Sequence, residues 1–302
     1  MRITTKELLQ RYKQGERNFS RADLGVTALT PPWLIDVNLS DINLSRLGIQ
    51  NGGLMNIDLS GANLEKARFT QTLLIKTNLS DANLSKANLD RVDFTSANLS
   101  GANLSGANLS GANLSGANLS GANLSDIEVN KRTIFCKTIM PDGIINSNHP
   151  KIITAPELMR RYNDGERDFG GIIMHGGDLR GVDLQSIDLS GACLSYVNFS
   201  NVNFRGSDFL AAKFIFCDFR EANINICNFD GIGLIYCDLR GMYGVGVDCS
   251  SANYICSNFQ GANFNGFGQE PTFKCHVTWF DGVFIDDPTG IVHPNSFFFE
   301  EE

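Results

Sequence analysis

No apolar run in this 302-residue chain approaches the roughly 18–20 residues that a membrane-spanning helix requires. The opening Met1-Arg2-Ile3-Thr4-Thr5-Lys6-Glu7 lacks the apolar stretch of a secretory signal. The expectation is a cytoplasmic chain with no membrane association. Eight cysteines are present, but no CxxC pair and no spacing of a small secreted scaffold, so no disulfide framework is expected. There is no phosphate-binding loop, no dinucleotide fingerprint and no GxSxG elbow. The histidines, His149, His175, His276 and His293, show no tetrahedral ligand spacing with the cysteines. The reading is therefore of a chain that is not an enzyme and needs no metal or cofactor.

Basic residues run short in the second half. Residues 1–150 carry 15 basic and 13 acidic side chains, about +2, and residues 151–302 carry 10 and 20, about −10, which together make the formal net charge of −8. A direct nucleic-acid binder would need a basic stripe; an acidic surface on the second half points instead to a protein partner. Charge is missing altogether from residues 95–125, where only Ser, Gly, Asn and Thr face outward. That stretch reads either as a neutral docking surface or as the expansion of a repeating gene segment with no function attached.

What is present is a period of five. Large apolar residues recur at Phe19, Leu24, Leu29, Leu34, Leu39 and onward through Leu124, Val129, Ile134 and Ile139. The same phase returns at Phe169 and runs through Leu184, Phe204, Phe219 and Leu239 to Phe264, with Gly244 out of character. The position two before each central residue is small, as at Ala62, Ala82, Ala102, Ala192 and Ala222, and the position one before is mostly Asn or Asp. Five fits neither the 3.6 period of a helix nor the 2 of a flat strand. It fits a chain that turns a corner once per repeat, with two residues inward, three outward, and turn-forming Asn, Asp, Ser and Gly outside. Cys217, Cys227 and Cys237 fall at the small inward position and read as core thiols.

The clearest units are five successive ANLSG repeats, Ala97 to Gly121. They resemble the pentapeptide-repeat family, whose motif is A-(N/D)-L-x-x. The resemblance implies an all-β solenoid, a right-handed quadrilateral β-helix with four repeats per coil, and coils stacked at about 4.8 Å. No coil buries its own faces, so stability must come from its neighbours.

The repeat array is duplicated with its preface. TTKELLQRYKQGERNF from Thr4 recurs as TAPELMRRYNDGERDF from Thr154. Thr4 with Glu7 and Thr154 with Glu157 read as capping boxes, and Gly15 and Gly165 as helix stops. Each segment is expected to form a short capping α-helix over unpaired strand edges, an opening similar to those of cyanobacterial pentapeptide-repeat proteins. The expected layout is a first module over 1–143 that closes at Met140-Pro141-Asp142-Gly143, a linker over 144–153, and a second module over 154–302. The second array lapses at Phe267–Lys274, resumes at Trp279 and Phe284, and ends irregularly in Phe297-Phe298-Phe299 and three Glu.

Four repeats per coil place residues 20 apart on one face, so the surface can be read in columns. Asp168, Asp188, Asp208, Asp230 and Asp248 share one face of the second module and form a candidate acidic face, unless each Asp simply satisfies its own corner. Asp178, Asp218 and Asp238 lie beside Arg180, Arg220 and Arg240, an arrangement that neutralises itself. A third face sets Ile215, Ile235 and Ile255 in one outward column with Tyr196, Phe216 and Tyr236 beside them. Read as exposed, this is a candidate interaction face for an unidentified protein partner or for self-association; its alternative is cover by the C-terminal segment. The function expected is a non-catalytic interaction scaffold. The alternative is a DNA mimic that modulates a type II topoisomerase through the acidic face, as the family resemblance allows.

Overall fold

The computed structural model describes residues 3–24, 33–265 and 273–285. The chain divides into two compact units, Met1–His149 and Pro150–Glu302, and each is a β-solenoid. In the first, parallel bridges join Asn18 to Asn38, Asn38 to Asp58, Asp58 to Asn78 and Asn78 to Asn98, always 20 residues apart. In the second, one face is continuous enough to form a six-stranded parallel sheet. Its strands are Ile173–Asp178, Cys193–Asn198, Lys213–Ile215, Gly233–Ile235, Asn253–Ile255 and Phe273–Cys275.

The period of five has a backbone cause. The residue two after each central position adopts a left-handed φ, from Arg21 at 56° to Cys256 at 52°, with Gly61, Gly101 and Gly121 at 64–68°. One such residue per repeat turns the chain through a corner, and four corners return it above its start. The residue one before the centre then closes the turn: Asn38 Oδ1 accepts the Ser40 N–H at 2.9 Å, and Asp188 Oδ1 accepts the Ser190 N–H at 2.8 Å. Central and small residues fill the interior, including Phe69, Leu79, Ala82 and Phe94 in the first unit and Phe199, Phe204, Phe214 and Phe219 in the second. Each fully buried Leu or Phe contributes roughly 1.5–3 kcal/mol.

The phase departs from the sequence reading in three places. Asn108 bridges Glu128 at the usual spacing, but Asn113 bridges Ile134 and Asn118 bridges Ile139 at 21. One extra residue has entered the coil, so Ile134 and Ile139 stand beside the central positions, and Phe135 and Met140 pack on the core instead. Near the other end, Lys274 occupies a central position, paired with Tyr254, and its ammonium lies 4.0 Å from the centroid of the Trp279 ring. Trp279 keeps the phase, whereas Phe284 leaves it and is exposed. Leu29, residues 267–272 and the Phe297–Glu302 tail lie outside the described residues.

Each unit carries the same kind of hairpin after its last described coil. Thr138–Ile139 pairs antiparallel with Ile145–Asn146, and Val277–Thr278 pairs with Phe284–Ile285. In each turn an Asp-Gly pair does equivalent work. Gly143 donates to Met140 O and Asp142 Oδ1 accepts from Ile144 N; Gly282 donates to Trp279 O and Asp281 Oδ1 accepts from Val283 N. The first hairpin takes residues 144–146 from the expected linker, and Ile152 already bridges Ile173.

Each array opens on a nine-residue helix, α1 at Thr5–Lys13 and α2 at Ala155–Asn163. Thr4 and Glu7 form the reciprocal box. In α2 only Thr154 caps, because Glu157 turns to Arg160. Leu8 and Leu158 are fully buried in the two cores. The recurring Arg-Tyr and Gly-Glu-Arg residues lock each helix exit. Arg11 pairs with Glu16 and Arg161 with Glu166, while Arg17 and Arg167 lie 4.1 and 3.8 Å from the Tyr12 and Tyr162 ring centroids.

Candidate interaction surfaces

In the six-stranded sheet, alternation sends Ile215, Ile235 and Ile255 away from the coil interior. All three lie outside the core cluster, as the column reading requires, and stack in parallel register one coil apart. Their exposure differs from the expectation: each is 0 % exposed. Strand alternation sets the direction of a side chain, but only packing sets whether water reaches it. The same holds in the first unit, where Ile35, Met55, Ile75, Thr95 and Ser115 form a buried outward column.

Tyr196, Phe216 and Tyr236 occupy left-handed corner positions, with φ of 56°, 55° and 54°. That backbone aligns the three rings into a ladder with centroids 4.8 and 4.9 Å apart, one coil per rung. His175 adds a further ring 5.2 Å from Tyr196, and its Nδ1 lies 2.8 Å from Ser195 Oγ. Tyr196 is 41 % exposed, and Phe216 and Tyr236 are half-buried. The six residues of the candidate face thus do come together, as an exposed rung beside a buried isoleucine column.

On the acidic face, Asp168 bridges Asp188 and Asp188 bridges Asp208, three carboxylates in successive coils. Each Asp satisfies its own corner: Asp168, Asp208 and Asp248 accept N–H groups from Gly170, Leu210 and Ser250. Asn228 interrupts the carboxylates and donates to Asp208 Oδ1 at 3.0 Å, with Asp230 two residues along. On the next face the Asp and Arg residues pair as expected. Arg180 holds the Asp178 carboxyl below its usual range, and Asp218 and Asp238 raise the Arg220 and Arg240 guanidinium groups.

The thiols at the small inward positions, Cys217, Cys227 and Cys237, are shut in. Burial, then a contact with Cys237, pushes the Cys217 thiol well above its ordinary value, and burial raises Cys227 to about 12. Cys227 donates to Phe204 O at 3.1 Å. Among the described residues no group of His, Cys, Asp and Glu is placed to hold a metal, and no helix is long and apolar enough to cross a membrane.

A 20-residue coil of this kind, with Ala inward, Leu or Phe central and Asx at the corner, has a family counterpart. The model for pentapeptide repeats matches residues 54–91, 87–126 and 192–231, in eight copies. Over those residues the chain carries pentapeptide repeats. It is similar to HetL, a pentapeptide-repeat protein involved in heterocyst differentiation regulation in the cyanobacterium Nostoc sp. strain PCC 7120. That match is 22% identical, covers 94% of this chain and 100% of that one, and has a TM-score of 0.32. It is also similar to alr5209 of the same Nostoc, at 25% identity over 39% of this chain and 100% of that one, TM-score 0.33. A third likeness is to AT2G44920 of the Arabidopsis thaliana thylakoid lumen, at 29% identity over 38% and 75% of the two chains, TM-score 0.30. No curated protein matches the chain.

Two features of this chain escaped the column reading. One is the second Asp-Gly hairpin, whose signal was the recurrence of Asp-Gly before two large apolar residues, Ile144-Ile145 and Val283-Phe284. The other is an exposed apolar group at Ile226, Tyr243 and Val245. Its signal was Gly244, the one central position of the repeat occupied by glycine.

Proposed function

We propose that this protein is a non-catalytic interaction scaffold that works through outward faces of its second unit. The observation that carries this reading is the enclosure of its interior thiols. Cys217, Cys227 and Cys237 are buried between stacked coils, and burial keeps the Cys217 and Cys227 thiols protonated. The ring ladder is a candidate contact, since aromatics dominate the energetics of protein interfaces. Tyr196→Asp alters the exposed rung without touching the core. Cross-linking and co-purification from source cells should yield a stoichiometric partner, or a second copy of the chain, that Tyr196→Asp releases. Equal capture by both forms would remove the ladder from the reading, and turnover of a small molecule by the purified chain would overturn the reading itself.

The acidic column motivates a second reading, a DNA mimic acting on a type II topoisomerase. Magnitudes weigh against it. A duplex carries one charge per roughly 1.7 Å of axis, whereas carboxylates in successive coils fall about 4.8 Å apart, and Asn228 breaks the run. Inhibition of gyrase supercoiling that Asp188→Asn with Asp208→Asn abolishes would restore this reading; no effect of the wild-type chain would end it.

A further inference from the structure

The repeat Met242–Gly246 is built inside out. Its central position is Gly244, buried, while the residues on either side, Tyr243 and Val245, point outward and are 45 % and 64 % exposed. A methyl group on Gly244 would stand 2.9 Å from the carbonyl carbon and Cγ1 of Ile224, so the strand is drawn in against the coil before it. Ile226 completes the group. Its N–H donates to Val245 O at 2.9 Å, it is 61 % exposed, and it holds a φ of 58°. A β-branched residue in the left-handed region is an outlier, and strain of this kind gathers at functional surfaces. The neighbouring corner in the previous coil is Gly206, at 71°, so the fold itself does not call for isoleucine here. Glycine in the core, apolar groups in water and a strained isoleucine all act against stability, and all three meet at one spot.

The surroundings specify what would cover it. Val245 is followed within three residues by Asp248, and Ile226 within four by Asp230, with Asp208 one coil before Asn228. This adjoining acidic face carries no cation at its outward positions among the described residues. Among the described residues Arg205 is the one cation on the apolar face itself, two coils from Val245 in the same column. An apolar stripe bordered on its Val245 side by carboxylates, and on its Tyr243 side by Arg240 held in a pair with Asp238, complements a segment with a positive charge along one edge and the same apolar content. We propose that the corner formed by Ile226, Tyr243 and Val245 with Asp208, Asp230 and Asp248 docks a cationic amphipathic segment of a partner protein. This rests on the scaffold reading and assigns a surface other than the ring ladder.

The test is fluorescence anisotropy of the full chain with two labelled probes, a Lys/Leu amphipathic peptide and a Glu/Leu peptide of the same apolar pattern. The Lys/Leu probe should bind, more weakly as salt rises, and at least about tenfold more tightly than the Glu/Leu probe. Tyr243→Ser with Val245→Ser should weaken it about tenfold, the scale of a lost apolar anchor, and Asp230→Asn with Asp248→Asn should flatten the salt dependence. Ile226→Gly supplies a variant that cannot fail through misfolding, since it relieves the corner and should raise the melting temperature while it weakens binding. Equal affinity of wild type and these variants, equal binding of both probes, or dimerisation of the wild-type chain that Tyr243→Ser abolishes would each overturn the proposal. Loss of the partner on Tyr196→Asp is scored on the ladder, so failure here leaves that outcome readable.

Discussion

The side-chain amide of Asn98 donates to Oδ1 of Asn78 at 3.1 Å, one coil earlier. Asn98 Oδ1 in turn receives the amide of Asn118 at 3.3 Å and the N–H of Ser100 at 3.2 Å, while Asn78 donates to Asp58 at 3.0 Å. Such a ladder has a direction, because every rung above the lowest must donate downward. Aspartate can accept but not donate, so it can only be the foot of a donating run, as where Asp58, Asp183 and Asp208 stand beneath Asn78, Asn203 and Asn228, even though Asp58 and Asp208 themselves sit one coil above Asn38 and Asp188.

Asn98→Asp should therefore destabilise the chain, by about 1–3 kcal/mol for the lost donor and the facing oxygens. Asp58→Asn, at the foot, should change stability by less than about 0.5 kcal/mol. Urea midpoints compare the two, and equal midpoints would refute a directional ladder.

Gly244→Ala places a methyl 2.9 Å from Ile224 backbone carbon, where neither group can yield cheaply. A loss of about 1–3 kcal/mol is expected from overpacking. Gly181→Ala meets nothing within 4 Å but has a φ of 66°, and should lose about 1–2 kcal/mol from conformation alone. Crystal structures of both variants would show movement of the Ile224 strand only in the first.

Cys227 is held protonated to about 12 in the folded chain, whereas an unfolded thiol ionises near 8.5. Between those values the unfolded state holds fewer protons than the folded one. Stability is therefore complete below the unfolded pKa and falls as pH rises toward 12, with a slope near 1.4 kcal/mol per pH unit for this thiol. Cys227→Ala should flatten the alkaline limb of a melting-temperature profile. Native iodoacetamide labelling at neutral pH should spare Cys217 and Cys227, and rapid modification of either would contradict the packing.

Tyr162 donates to Gln185 O at 2.9 Å and carries Arg167 over its ring. Tyr162→Phe removes only the hydroxyl, so a loss near 1 kcal/mol is expected, with faster amide exchange in α2. Unchanged exchange would show that this bond does not tether the helix.

Direction and register were legible in the residues; exposure was not. The period of five placed Ile215, Ile235 and Ile255 in one outward column and Tyr196, Phe216 and Tyr236 in another, and both columns exist. Whether water reached them depended on packing around the coils, which leaves no trace in periodicity. The slip between Glu128 and Ile134 was equally hidden, because isoleucine suits the position beside the centre as well as the centre itself.

The five-residue spacing of the central residues, the inward Ala and Leu, and the Asx corners are local constraints that each repeat states for itself, so the sequence alone determined a cornered repeat and its duplication, whereas four repeats per coil was implied by the family resemblance and is seen in the 20-residue bridges. Which outward residues lie open, which asparagine donates to which, and how Gly244 turns its neighbours into a surface were decided only by stacking. Those properties belong to pairs of residues 20 apart, and they arise when one coil settles on the next.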